Sequence, residues 1–264
     1  MGLLDFRITK NYIRLFFEHL QNGEDEKALR LFYDREEVKG YPLSLHYACY
    51  FKCLKVTEQI LKKRKNLINY LDELNQNPLH YAVNHFHFDG HTLDSIFNKK
   101  LLPRQILRGI ERNNLYDMQH RKEKDTNLIK KSYLKPLFKI IDLLVDAGVD
   151  LEQASNDYGP GSQGGFPCTP LFVSIAARDE HTSKYLIEKH SAKVDLVEIV
   201  DGVYKNFVKK NYTIMSIFHQ AYDGGYSDIS ENMQKKIKDD FEKYLLDKNA
   251  PNENVYDLNA YAYD

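Results

Sequence analysis

The chain has 264 residues, 42% hydrophobic and 28% charged, with a formal net charge of −1. That balance excludes a global field for nucleic acid or an anionic membrane, and no run approaches the roughly 20 apolar residues that cross a bilayer. Three cysteines, Cys49, Cys53 and Cys168, are too few for a disulfide scaffold and fit a reducing compartment.

The first residues, Met1-Gly2-Leu3-Leu4-Asp5-Phe6-Arg7, hold no apolar core of signal-peptide length, and Phe6 stands where N-myristoylation needs Ser or Thr. Residues 8–21 predict an amphipathic helix, with Ile8, Tyr12, Leu15, Phe16, His19 and Leu20 at helical spacing. Asn22-Gly23 predicts a turn, and Glu24 to Tyr33 a second helix with Ala28, Leu29 and Phe32 inward. This pair, within residues 1–40, reads as an N-terminal helical cap or a degenerate first repeat.

The stretch Asn77-Pro78-Leu79-His80-Tyr81-Ala82 has a near copy, Leu43-Ser44-Leu45-His46-Tyr47-Ala48, 34 residues upstream, and a looser one downstream, Thr169-Pro170-Leu171-Phe172-Val173-Ser174. Its physics is local. Asn or Thr caps a helix by accepting an orphan N–H, and Pro fits the first turn because it has no N–H to lose. Leu and Ala face inward, and the small Ala allows close approach of helices. A T-P-L-H-x-A core at a spacing of about 33 is the mark of the ankyrin repeat. Residues 41–86, 136–200 and, more loosely, 205–252 resemble that family. The resemblance implies an all-α solenoid of stacked helix-turn-helix units with hairpin fingers. It also implies that His46 and His80 tie the turn of one repeat to the backbone of its neighbour.

In chain order, a first helix runs from Leu45 to about Phe51, and a second carries Leu54, Val56, Ile60 and Leu61. Residues 66–72 match the loop that leads to the next finger. After Asn77 the inner helix reaches about Phe86. The pattern resumes at Phe138–Asp150, where Gly148 supplies the left-handed helix stop. About 50 residues are therefore inserted, roughly 87–136. Within them 92–98 and 103–112 have helical periodicity, and 113–132 are polar. Residues 154–168 form a Gly-rich finger. Thr169 opens a third unit, with an outer helix at Lys184–Glu188. A fourth starts near Thr213, its outer helix running about Ser230–Asp247 with Asn249 in the Gly place. The 41–252 repeat domain ends in an acidic, Tyr-rich tail, 253–264. Phe172, Ser174 and Ser216 depart from the repeat pattern.

Catalytic and metal motifs are weak by comparison. His85-x-His87-x-x-x-His91 with Asp89 reads as a polar loop leaving a helix rather than a metal site, which needs three or four ligands in geometry. Cys49 and Cys53, four apart near His46, read as small buried thiols rather than a zinc pair. Cys168 precedes a helix N-cap but has no neighbouring base in the sequence. The Gly-rich finger lacks the spacing of a phosphate loop. Lys62-Lys63-Arg64-Lys65 reads as a solvated helix end.

The family resemblance implies a protein-interaction module working through its concave face and finger tips. It needs no cofactor or metal, has one partner protein and no nucleic acid, and is monomeric and cytoplasmic. The implied partner-contact residues are Tyr41, Tyr50 and Phe51 around the first core, and Glu73, Leu74, Gln76, Asn84 and His85 around the second. Around the third they are Tyr158, Phe166, Ala177 and Arg178. Irregular repeats, a large insert and a composition rich in Lys, Asn, Ile and Tyr also resemble ankyrin proteins that intracellular bacteria export as effectors into the host cytosol. The rival expectation is an enzyme with its site in the insert or the C-terminal third, using His85, His87 or Cys168.

Overall fold

The computed structural model describes residues 3–84, 134–155, 168–195, 197–200, 210–222 and 231–250. The readings for 87–133, for the finger tip 156–167 and for the tail 253–264 lie outside them. The chain divides into two compact units, Met1–Asp150 and Leu151–Asp264. Both are mostly helical, and no described helix is long and apolar enough to cross a membrane.

In the first unit, α1 (Leu3–Gln21) and α2 (Asp25–Asp34) meet at a turn where Gly23 takes φ +68°. Asp25 and Glu26 in the first turn of α2 suit the positive end of its dipole. A single helical turn, α3 (Glu36–Lys39), then follows, which the sequence pattern does not announce. Its reason is tertiary: Val38 is fully buried, and α3 packs on both α1 and α2.

The chain continues through α4 (Ser44–Tyr50), α5 (Leu54–Lys63), a 3-10 turn at Lys65–Leu67, α6 (Pro78–Val83) and α7 (Lys135–Asp146). Helix α4 packs on α1 and α6, while α5 packs on α2 and α7. The unit is thus two rows, α1–α4–α6 and α2–α5–α7, joined rung by rung through α1–α2, α4–α5 and α6–α7. Between the rows lie Phe16, Phe32, Leu45, Ile60, Leu79, Leu137, Ile140 and Leu144, all fully buried. Ala28, Ala48 and Ala82 are fully buried as well, and their small side chains let the helices close up.

Helix α6 stops at Val83, short of the expected Phe86, because Asn84 turns extended (φ −74°, ψ 117°). Helix α7 begins at Lys135, slightly ahead of the expected end of the insert. Its far end is fastened by side-chain amides. Asn69 Nδ2 donates to the Gly148 carbonyl at 3.0 Å, Asn69 Oδ1 accepts from Asp150 N at 3.0 Å, and Asn77 Nδ2 donates to the Asp150 carbonyl at 2.7 Å. Gly148 has φ +94°, as its helix stop requires.

In the second unit, Ser155 N donates to the Cys168 carbonyl at 3.1 Å and closes the base of the finger. Helices α8 (Pro170–Ala176) and α9 (Glu180–His190) follow, α9 longer than the sequence pattern suggests. Next come the strands β1 (Val197–Val200) and β2 (Lys210–Thr213), then α10 (Ile214–Tyr222) and α11 (Glu231–Asp247). The strands pair antiparallel with Val197 opposite Thr213, a departure from the all-helical expectation. Helix α8 packs on α9 and α10, and α10 on α11.

Two departures from the repeat pattern find their reason here. Phe172, in the His place, is fully buried and adds apolar volume where a ring nitrogen would need a partner. Ser174, in the Ala place, is buried but bonded: its Oγ donates to the Leu171 carbonyl at 2.8 Å and lies 2.9 Å from Ser183 Oγ.

The fastening of α7 means that residues 85–133 connect two helices already in contact. Loop closure costs about (3/2)RT ln n, so a roughly sixfold shorter connection saves about 1.5 kcal/mol. Replacing 85–133 with an eight-residue Gly/Ser linker is expected to raise the urea midpoint of the full chain, with the helical circular-dichroism signal of the two rows retained.

Candidate functional site

The loop edge of the first unit carries the candidate site. It comprises residues 40–43 before α4 and 69–76 before α6, and Asp72 organises the second of these. Asp72 Oδ1 accepts from Leu74 N at 2.9 Å and from Gln76 N at 2.8 Å, while Oδ2 accepts from the Tyr81 hydroxyl at 2.8 Å. Its own N–H donates to the Gln76 carbonyl at 3.1 Å, closing a tight loop in which Asn75 takes φ 58°. One carboxylate thus satisfies three donors and fixes the loop on α6.

Beneath the loop lies a band of rings. Phe17 meets Tyr47 at 4.2 Å between centroids and Tyr41 at 5.6 Å; Tyr47 meets Tyr81 at 5.8 Å. His46 stands edge-on to Tyr81 at 4.9 Å and to Tyr70 at 6.1 Å. His46 Nε2 lies 3.2 Å from the Gln76 carbonyl, so the Nε2–H tautomer donates to the loop of the next rung. Next to it, Asn77 Oδ1 accepts from Leu79 N at 3.1 Å and His80 N at 3.2 Å, and Asn77 N donates to His80 Nδ1 at 3.2 Å, a closed capping box.

Burial sets the protonation of this band. It lowers His46 to about 4, against the weaker pull of the Gln76 and Tyr70 carbonyls toward the charged ring. It raises Tyr47, with Tyr41, Asp72 and Tyr50 adding to the effect. Tyr41 is raised by burial and then by the neighbouring Tyr70 and Glu73.

The expected contact residues divide under this geometry. Glu73 and Leu74 are exposed, and Tyr41 and Phe51 are half-buried. Tyr50 is 9% exposed, its ring edge-on to Phe51 at 5.0 Å. Gln76 and Asn84 require correction. They are 2% and 5% exposed, and their side chains are not available to a partner. Arg178, in the second unit, is half-buried: its Nε donates to the Ala221 carbonyl at 2.7 Å and its guanidinium lies 5.8 Å from the Tyr222 ring centroid. Ala177 is buried. His85, His87, Tyr158 and Phe166 lie outside the described residues. Tyr70, 41% exposed at the same edge, was passed over in the sequence as an ordinary loop residue. A tyrosine two residues before the organising Asp72, next to the Glu73 and Leu74 already marked as contacts, is the signal that could have marked it.

The cysteines are inert. Burial pushes the Cys49 thiol up to about 12 and Cys53 higher still, and Cys53 Sγ donates to the Leu20 carbonyl at 3.3 Å. Cys168 is 2% exposed, which argues against the nucleophile expected of an enzyme at this position. Among the described residues no group of three or more His, Cys, Asp or Glu is placed to hold a metal. The chain matches no known family model and no curated protein sequence.

His46 gives this edge a pH dependence. In the unfolded chain its ring takes a proton near pH 6.5, whereas folded it stays neutral to about pH 4. Between those values the unfolded state binds more protons, so stability falls as the pH falls, by up to about 3 kcal/mol, and levels off below the folded value. Urea midpoints of the full chain between pH 7 and 4 are expected to show this slope, and His46→Gln to flatten it.

Proposed function

We propose that the chain is an ankyrin-type interaction module and that the loop edge of its first unit holds a partner protein. The observation that carries this reading is the recurrence of one rung. At the turn that ends an inner helix, Gly23, Lys52 and Arg178 each have positive φ (+68°, +58° and +57°). In each the N–H of that residue bonds three residues back and the next N–H bonds five back, as in Lys52 N to Cys49 O at 3.1 Å and Cys53 N to Ala48 O at 2.9 Å. The same pattern ends α7 at Gly148 and α11 at Asn249, where φ is +65°. Asn77 with Pro78, and Thr169 with Pro170, cap their helices alike, which is what the shared motif is for.

A module of this kind works by binding. Its backbone groups are satisfied within each rung, and the side chains left over at the loops meet the partner. In the first unit these are Tyr41, Tyr70, Glu73 and Leu74. Tyrosine is suited to the task, since it offers a large rigid contact with a polar tip.

Full-length chain immobilised on beads is expected to capture a partner from a lysate of the parental cells. The pair Tyr70→Ala and Leu74→Ser should lower that recovery about tenfold, the loss of roughly 1.4 kcal/mol, with no change in thermal midpoint. Cys168→Ser should leave recovery unchanged. Equal recovery by the Tyr70/Leu74 variant would mean that the binding surface lies elsewhere.

A further inference from the structure

The loop edge has a one-sided charge. Residues 40–51 and 66–77 contain no lysine or arginine, and their charged groups are Asp72 and Glu73. His46, the histidine among them, is buried and neutral. Asp72 is held by its three internal donors. Glu73 is exposed, and the half-buried Tyr41 hydroxyl lies within electrostatic reach of both Glu73 and Tyr70. Lysines stand just outside both stretches, at Lys39, Lys52 and Lys65; Lys39 pairs with Glu36, Lys52 Nζ donates to the Tyr50 carbonyl at 3.0 Å and lies 5.7 Å from the Tyr50 ring centroid, and Arg64 donates to the Lys39 carbonyl.

Next to the uncovered carboxylate are two surfaces that suit a long cationic side chain. The Tyr70 ring is 41% exposed and Leu74 39%, so a face for a cation and a patch for an alkyl stem adjoin one charge. An acidic partner segment would bring like charge against Glu73 and the negative faces of both rings, with no cation in the edge to offset it.

Resting on the interaction-module reading above, we propose that Tyr41, Tyr70, Glu73 and Leu74 receive an arginine or lysine side chain from the partner protein. Glu73 pairs with the cation, the tyrosine rings flank it, and Leu74 covers its stem. An exposed ion pair and one cation–π contact are each small, so this is one anchor within a larger interface and sets which partner binds rather than the whole affinity.

The test is a selection of random 12-residue displayed peptides on the full-length chain and, in parallel, on Glu73→Lys. Peptides selected on the natural chain are expected to carry Arg or Lys at a common position. They should lose about fivefold in affinity on Tyr70→Ala, and bind more weakly as salt rises. Selection on Glu73→Lys should yield Asp or Glu at that position instead. Peptides that depend on Tyr70 but carry no cation would overturn the charge assignment and leave the loop edge as the binding surface. Peptides indifferent to both Tyr70→Ala and Leu74→Ser, or no enrichment at all, would overturn both.

Discussion

The Gln76 carbonyl, two residues before α6, is the point on which the first unit turns. It accepts from Asp72 N, which shapes the loop, and from His46 Nε2, which belongs to the helix of the preceding rung. Both of its lone pairs are thereby used in a place where water does not reach, since Gln76 is 2% exposed and His46 fully buried. A buried carbonyl with no donor is costly, and so is a buried ring nitrogen with no acceptor; here each group satisfies the other. The consequence is that α4 cannot shift against α6 without orphaning the buried His46 Nε2–H. A helix of seven residues and one of six are too short to hold themselves, and this link together with the apolar rows between them is what fixes their register.

The link also explains why the second unit is built differently at the corresponding place. Phe172 has no ring nitrogen to offer a neighbouring loop, and the chain there makes its stack with apolar bulk. Leu171, Phe172, Val173 and Ile175 are all fully buried along one short helix. Phe218 and Phe241 meet at 5.8 Å between the next two helices, and the stacked Tyr244 ring carries the Lys184 ammonium at 5.0 Å. Two units from one chain thus keep the same turns and caps while solving the contact between rungs in different chemistry, one by a hydrogen bond and one by packing.

What could be read from the sequence follows the range of the forces. The cap at Asn77, the proline after it, the stops at Gly148 and Asn249 and the turn at Gly23 are decided by residues within four positions of each other, and the sequence pattern locates them. The two rows of helices follow the motif spacing, and the repeat pattern that resumes at Phe138–Asp150 reads α7 as the outer helix of the unit that α6 opens, two helices that do pack together. Helix α3 has no periodic run to betray it and owes its existence to Val38 finding a pocket under α1 and α2. The β1–β2 ribbon does carry a local signal, the turn dipeptide Asp201-Gly202 directly after β1, which the helical repeat reading passes over. Side-chain accessibility was least legible. Gln76 sits at a position where the repeat exposes its residue, but burial depends on what neighbouring elements place over it. Arg178 turned to the Ala221 carbonyl, a residue 43 positions away.

This division decides which residues remain for binding. A side chain already bonded within the fold would have to lose that bond to meet a partner, and the exchange brings little net gain. Asp72 and Tyr81 are joined at 2.8 Å, and His46 is committed to Gln76; together they make the edge rigid without being offered at it. Tyr70, Glu73 and Leu74 lie on the same loop, held in place by Asp72 and left uncovered. Ordering of the loop is complete before any partner arrives, so little conformational entropy remains to be lost on binding. The repeat resemblance marks Glu73 and Leu74 in this stretch as contact residues but not Tyr70. The chemistry of the stretch is that of a loop ordered by Asp72, with the Glu73 carboxylate left exposed.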